Sequence, residues 1–228
     1  MTTMDESRAD ARDMFVVHTM FRREFGLMPG LVRAVTPGDT ARAAVVADHV
    51  TLMTEGLAAH HQGEDDHIWP YLRERCPGEC GALVSVMEDQ HRAIHECFRP
   101  VQTTAETWRQ TASADMRNAL VEAVEELVAV TDEHLSLEEE RVVPLIEEYL
   151  TEAEYAPAAQ AASASLPPDK LLIGLGMTIY GADAEAVAMI VGHVPAEARP
   201  TIKDQADQAY AAYAETLYGT ARPPLGAG

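Results

Sequence analysis

Basic residues are scarce. Lys and Arg number 17 against 37 Asp and Glu in 228 residues, a formal net charge of −20. So negative a surface repels phosphate, which argues against nucleic acid and anionic membrane surfaces as partners. No apolar run is long enough to cross a bilayer, so a membrane-spanning helix is not expected. The first residues, MTTMDESRADARDMF, mix both charge signs and hold no apolar stretch. No secretory signal is expected there, and a cytoplasmic location is. Cysteine is nearly absent: Cys76, Cys80 and Cys97 cannot all pair, and C-x3-C is neither the usual zinc nor the usual redox spacing. Free thiols are the expectation. Period-2 alternation of apolar and polar residues is also rare, which leaves little room for a sheet.

Ala, Leu, Glu and Met are abundant instead, and the chain reads as nearly all helix. A first helix is predicted over about Asp5 to Met28, with Met14, His18, Phe21, Phe25 and Met28 on one face. Pro29-Gly30 and Pro37-Gly38 are expected to break it. A second begins near Asp39-Thr40, carries Met53, Leu57, His60 and Glu64 on one face, and stops or kinks at Pro70. A third runs from Gly81 to Thr107 with a stripe of Val84, Met87, His91, His95 and Phe98, and Pro100 as a kink. The fourth spans Ser113 to Tyr149, with Leu120, Val124, Leu127, His134 and Glu138 sharing a face. Helices of roughly 20–35 residues are about 30–50 Å long. Four of them joined by short links make an all-α, antiparallel up-down four-helix bundle over residues 1–150. Residues 151–168 are rich in Ala, Ser and Pro and read as a linker. Residues 169–228 form a C-terminal helical extension. Its apolar side chains need a surface: the bundle is preferred, with Tyr210, Tyr213 and Tyr218 lying along it, and a homodimer contact is the other use.

Each long helix places a histidine on its apolar stripe. His60 is followed by Glu64 and His134 by Glu138, while His91 is followed by His95, all at i+4, where side chains stand one above the other. The pattern His-x3-Glu-x5-Pro occurs twice, as His60-Glu64-Pro70 and His134-Glu138-Pro144. The copies are shifted by 74 residues at each position (134 − 60, 138 − 64 and 144 − 70). A lone histidine on an apolar face is usually an ordinary core residue. Five imidazoles and two carboxylates in one core are not, because a buried carboxylate is costly unless paired or ligated to a metal. Glu64 has no Lys or Arg within one turn, whereas Glu138 has Arg141 three residues on. Imidazole suits Zn, Cu, Fe and Ni, and carboxylate adds Mn. Seven ligand-type residues exceed the six positions of one octahedral ion, so two ions are implied, with the carboxylates as natural bridges. The four-Glu set of ferritin-like sites is missing. His61 lies about 100° round the helix from His60 and reads as surface or outer shell. His67 is a weak candidate, and His49, His193, Cys97, Trp69 and Tyr71 read as ordinary.

The residues His18, His60-x3-Glu64, His91-x3-His95 and His134-x3-Glu138-Glu139 resemble the hemerythrin and hemerythrin-like HHE cation-binding proteins, over about residues 10 to 150. That resemblance implies two iron ions, carboxylate- and oxo- or hydroxo-bridged. His91, His95 and His134 would hold one, and His18 and His60 the other, which keeps an open position. One carboxylate from each of the second and fourth helices would bridge. Oxygen-carrying members have the last carboxylate five residues after the histidine, which here is Glu139. The internal echo and the i+4 geometry favour Glu138. The implied function is binding of dioxygen, nitric oxide or peroxide for carriage, storage or sensing. The alternatives are an enzyme detoxifying peroxide or nitric oxide and an iron-responsive interaction module. Met14, Phe21 and Leu57 are expected to line the open position.

Overall fold

The computed structural model describes residues 7–225. Among them it is all helix, with no strand beyond a single bridge between Arg8 and Thr151. Four helices are long: α1 (Asp13–Ala34), α2 (Thr40–His67), α4 (Glu79–Thr111) and α5 (Ala114–Arg141). They pack in a ring, α1 on α2 and α5, and α4 on α2 and α5. Short helices α3 (Trp69–Arg75) and α6 (Val143–Tyr149) follow α2 and α5 and touch each other. No helix among the described residues is long and apolar enough to cross a membrane.

Local chemistry fixes most helix ends. Asp39 caps α2 by accepting the Arg42 N–H at 2.9 Å, and Ser113 caps α5 by accepting that of Met116 at 3.3 Å. The repeated proline motif produces the same break twice. Pro70 sits in the first turn of α3 and Pro144 in that of α6, where a missing N–H costs nothing. Pro29 behaves otherwise. The expected break at Pro29-Gly30 is absent, and α1 continues to Ala34. One helical hydrogen bond is lost, but Met28, Pro29, Val32 and Val35 are all buried, which offsets it. Pro100 is likewise inside α4.

A third, smaller cluster of Ile179, Ile190 and Ala206 lies in the extension, and the apolar interior of the long helices has two parts. One holds Phe21, Phe25 and Met28 of α1, Met53 and Leu57 of α2, Ile94 and Phe98 of α4, and Leu127 and Leu135 of α5. The other holds Met14, Ile68, Trp69, Met87, Val142 and Ile146. The histidines fall between them on every long helix.

Residues 151–168, expected as a linker, instead form helix α7 (Glu152–Ser165), which docks on α2. Small residues make this possible: a Cβ on Gly63 would stand 2.6 Å from Ala161 Cβ and 3.2 Å from the Ala158 carbonyl. Ala-rich helices need such a partner, because they bury little by themselves. Helices α8 (Leu171–Ile179) and α9 (Ala184–Gly192) then pack on α1, and α10 (Arg199–Tyr218) packs on α8 and α9 and reaches α2. The extension therefore packs on the long helices. Buried Glu24 of α1 ties it down: it accepts Tyr210 Oη–H at 2.9 Å, Tyr218 Oη–H at 2.5 Å and Arg23 Nε–H at 2.8 Å. His49, expected to be ordinary, faces the same carboxylate at 3.6 Å and meets Tyr213 Oη at 3.0 Å. Cys76 and Cys80 are not free thiols but a disulfide between α3 and α4, because the Pro77-Gly78 turn brings their Cα atoms to 5.4 Å; Cys97 is free.

Candidate metal centre

Two sets of side chains each bring one ligand atom per residue within 4.8 Å of one another: His61, Glu64, His91 and His134, and His18, His60, Glu64 and Glu138. Glu64 belongs to both. All seven residues are buried. Within the cluster, His60 Nε2 lies 3.2 Å from His18 Nε2 and 2.9 Å from Glu64 Oε1. Glu64 Oε2 is 3.3 Å from His91 Nε2. Glu138 Oε2 stands 3.5 Å from His18 Nε2 and 3.6 Å from His134 Nε2.

Six of the expected ligands, His18, His60, Glu64, His91, His134 and Glu138, thus come together. His95 does not. It is exposed and rests edge-on against Phe98, with ring centroids 5.1 Å apart. Among the described residues the buried positions of α4 are 80, 84, 87, 91, 94, 98, 101, 105 and 108, alternating steps of 4 and 3. After the four-residue step from Met87 to His91 the seam takes a three-residue step, which selects Ile94 and turns His95 outward. His61 takes the place instead. It is 1% exposed, stacks on His91 at 4.0 Å and meets His134 edge-on at 4.8 Å. A separation of about 100° between His60 and His61 does not send one of them to solvent. It points His60 at α1 and His61 at α4 and α5. His67 is half-buried and outside both sets.

The outer partners are ordered. His18 Nδ1 meets Glu139 Oε1 at 3.0 Å, and Arg22 Nη1 donates to the same oxygen at 2.6 Å. His91 Nδ1 meets Asp65 Oδ1 at 2.9 Å, an oxygen that also accepts Trp69 Nε1–H at 2.8 Å. His134 Nδ1 lies 3.2 Å from Gln90 Oε1. In each case Nδ1 is held from outside and Nε2 is turned inward, the arrangement that metal-binding imidazoles use. Glu138 faces the centre, and Glu139 sits outside it on His18. Asp65, Gln90 and Arg22 were not legible from spacing. Only the adjacency of Asp65 to Glu64 and of Glu139 to Glu138 hinted at an outer layer.

Electrostatics divides the cluster into groups already in the ligating form and groups, His91 and Glu138, whose protons a metal ion would have to displace. Burial pulls the His18 and His61 imidazoles down, and His134 to about 3, which keeps them in the neutral, ligating form. Burial opposes the charge on His91 too, but Asp65 and then Glu64 outweigh it and lift it to about 10. Burial, then the nearby Glu64 charge, drives Glu138 well up. Glu64 is held down against its own burial by His60 and His91. Both oxygens of Glu138, both nitrogens of His61 and Nε2 of His134 are buried without a hydrogen-bond partner, and Glu64 has only the neighbouring imidazoles. At about 1–3 kcal/mol for each orphaned group, such a layer needs compensation. Cations between these atoms supply it, so the donor set fits a metal centre.

An all-helical chain with a buried His/Glu set built for cations is the class that fold and site define. Residues 10–146 match the hemerythrin HHE cation-binding domain, well over half of the chain, and the protein belongs to that family. No curated protein and no solved structure matches it.

Proposed function

We propose that the chain is a di-iron protein that binds a small oxidant, and that the centre joining two ligand sets through Glu64 carries this function. The apolar clusters support an antiparallel up-down bundle of hemerythrin type. Along α1 and α4 the chain passes from the Met14–Met87 cluster through the histidines to the Phe21–Phe98 cluster; along α2 and α5 it passes the other way. His61, His91 and His134 would hold one ion and His18, His60 and Glu138 the other, with Glu64 common to both sets. The second set has one imidazole fewer, so an ion held there would be the one to keep an open position. A reduced iron pair supplies electrons and a coordination position to dioxygen, nitric oxide or peroxide.

The chain's own residues do the rest. Glu139, fastened by Arg22, orients His18. Met14, Phe21 and Leu57 are buried one turn from these ligands along their helices, and the Phe21 ring lies 5.5 Å from that of His60. Such a lining excludes water and charged substrates. His61 is within a ligand set and so is not free to donate a proton. The use we read for the centre is carriage, storage or sensing. One observation supports the enzymatic reading: Tyr155 of α7 is buried, donates to Asp13 Oδ1 at 2.5 Å, and lies within the field of Glu64 and Glu138.

The test is metal analysis followed by rapid mixing of the reduced protein with oxygen and with peroxide. Two irons per chain and a long-lived oxygenated spectrum are expected. One zinc without iron would remove the reading. Fast bleaching with oxygen evolution, lost in Tyr155→Phe, would establish the enzyme instead.

A further inference from the structure

A cavity of about 450 Å³ lies where the extension meets the long helices. Its walls are Phe21 of α1, Met53 and Gly56 of α2, Leu175 and Met177 of α8 and Ile190 of α9. That volume falls in the range of small-molecule sites, which are mostly apolar with a few placed polar groups. Among its lining residues only two ionise, Asp13 and His193, and they face each other. Asp13 is 3% exposed. Its Oδ1 is taken by the Tyr155 hydroxyl at 2.5 Å, while its Oδ2 stands 3.7 Å from His193 Nδ1, too far for a direct hydrogen bond. The polar end of the cavity therefore offers a carboxylate oxygen with acceptor capacity left.

We propose that this cavity is a binding site for an elongated apolar molecule with a hydrogen-bond-donating head, a hydroxyl or an amine. The body would lie among Phe21, Met53, Leu175 and Ile190, and the head would reach Asp13 Oδ2. A carboxylate head is excluded, because it would be set against Asp13 inside a chain of net charge −20. The site does not depend on which metal the histidines hold. It does adjoin that centre, because Phe21 lines the cavity and also touches His60. An occupant would bridge α1 and α2 to α8 and α9.

The probe is 1-aminoanthracene, a flat apolar molecule with one amine, added to the metal-loaded protein. Its fluorescence should rise saturably, and decanol and decylamine should displace it at least about tenfold better than decanoate, the discrimination expected when a carboxylate must approach a buried acid. Gly56 supplies the control. A Cβ there meets nothing nearer than the Phe21 ring at 4.0 Å, so Gly56→Ala is accommodated and Gly56→Met grows into the cavity. Gly56→Met should abolish probe binding with metal content unchanged, while Gly56→Ala retains it. Should Gly56→Met fail to fold, Leu175→Trp fills the same space from α8. Asp13→Asn should narrow the gap between decanol and decanoate. No saturable rise, unchanged binding in the filled variants, or equal competition by decanoate would overturn the proposal.

Discussion

His18, His91 and His134 each give one ring nitrogen to an outer acceptor and turn the other inward, whereas neither nitrogen of His61 has a partner. Position in the cluster therefore separates residues that the sequence treats alike. His61→Ala should lose most of the bound metal, and His95→Ala, changing an exposed ring, should lose none; metal analysis of the two variants decides, and the reverse order would return His95 to the ligand set. The acidic pair behaves the same way. Glu138→Ala should strip far more metal than Glu139→Gln. Glu139→Gln removes only the anchor of His18 and should weaken affinity by about 10–100-fold, the usual effect of an outer partner. A larger loss from Glu139 would make it the bridge. At this scale the i+4 rule put His60 with Glu64 and His134 with Glu138 on one inward face, where the structure has them, because it follows from helix geometry alone. It misplaced His61 and His95, since which flank of a helix faces inward depends on how many neighbours the helix has. In a ring each helix touches two, so the inward arc is wider than one stripe.

Helices divide into those the sequence marks at their ends and those that only packing creates. The caps Asp39 and Ser113 and the proline Pro70 act within a few residues, and α2, α3 and α5 begin or end where these residues indicate, whereas the fourth helix, expected to run unbroken to Tyr149, stops at Arg141 and restarts as α6 with Pro144 in its first turn. Pro29 does not end α1, because burial around it outweighs one missing bond. Helix α7 was illegible for the opposite reason. APAAQAAS has the composition of a linker, and it is helical because Gly63 opens a groove on α2 into which Ala158 and Ala161 fit. Gly63→Val should therefore push α7 away. Overpacking of this kind costs about 1–3 kcal/mol, and each kcal/mol lowers the melting temperature by about 2–4 °C in a chain of this size. Thermal unfolding of Gly63→Val measures it, and an unchanged melting point would mean that α7 contributes nothing to the fold. The disulfide is a similar case: C-x3-C suggests no pairing until a turn sets the two cysteines face to face.

In the whole molecule a polar layer lies between two apolar cores, an arrangement that is stable only if something compensates the layer. Metal is that compensation, and its removal should be felt globally. A ligand at about 100 times its dissociation constant adds roughly 3 kcal/mol to the native state, so metal-free protein should melt well below the loaded form. Acid should close the gap, since protons compete for the imidazoles. A second acid effect is independent of metal. His49, buried between Glu24 and Tyr213, is driven by its burial down to about 4, with Glu24 opposing. The fold therefore binds it neutral while the unfolded chain takes up a proton below about 6.5. Its contribution is complete above that pH and is lost as pH falls from about 6.5 to 4, on the order of 3 kcal/mol in all. Metal-free His49→Leu should accordingly show a shallower fall in stability over that window than metal-free wild type. Denaturant unfolding at several pH values measures both effects. Equal stabilities with and without metal at neutral pH would show that the polar layer needs no ion, and parallel pH curves for the two metal-free proteins would show that His49 titrates as it does in the unfolded chain.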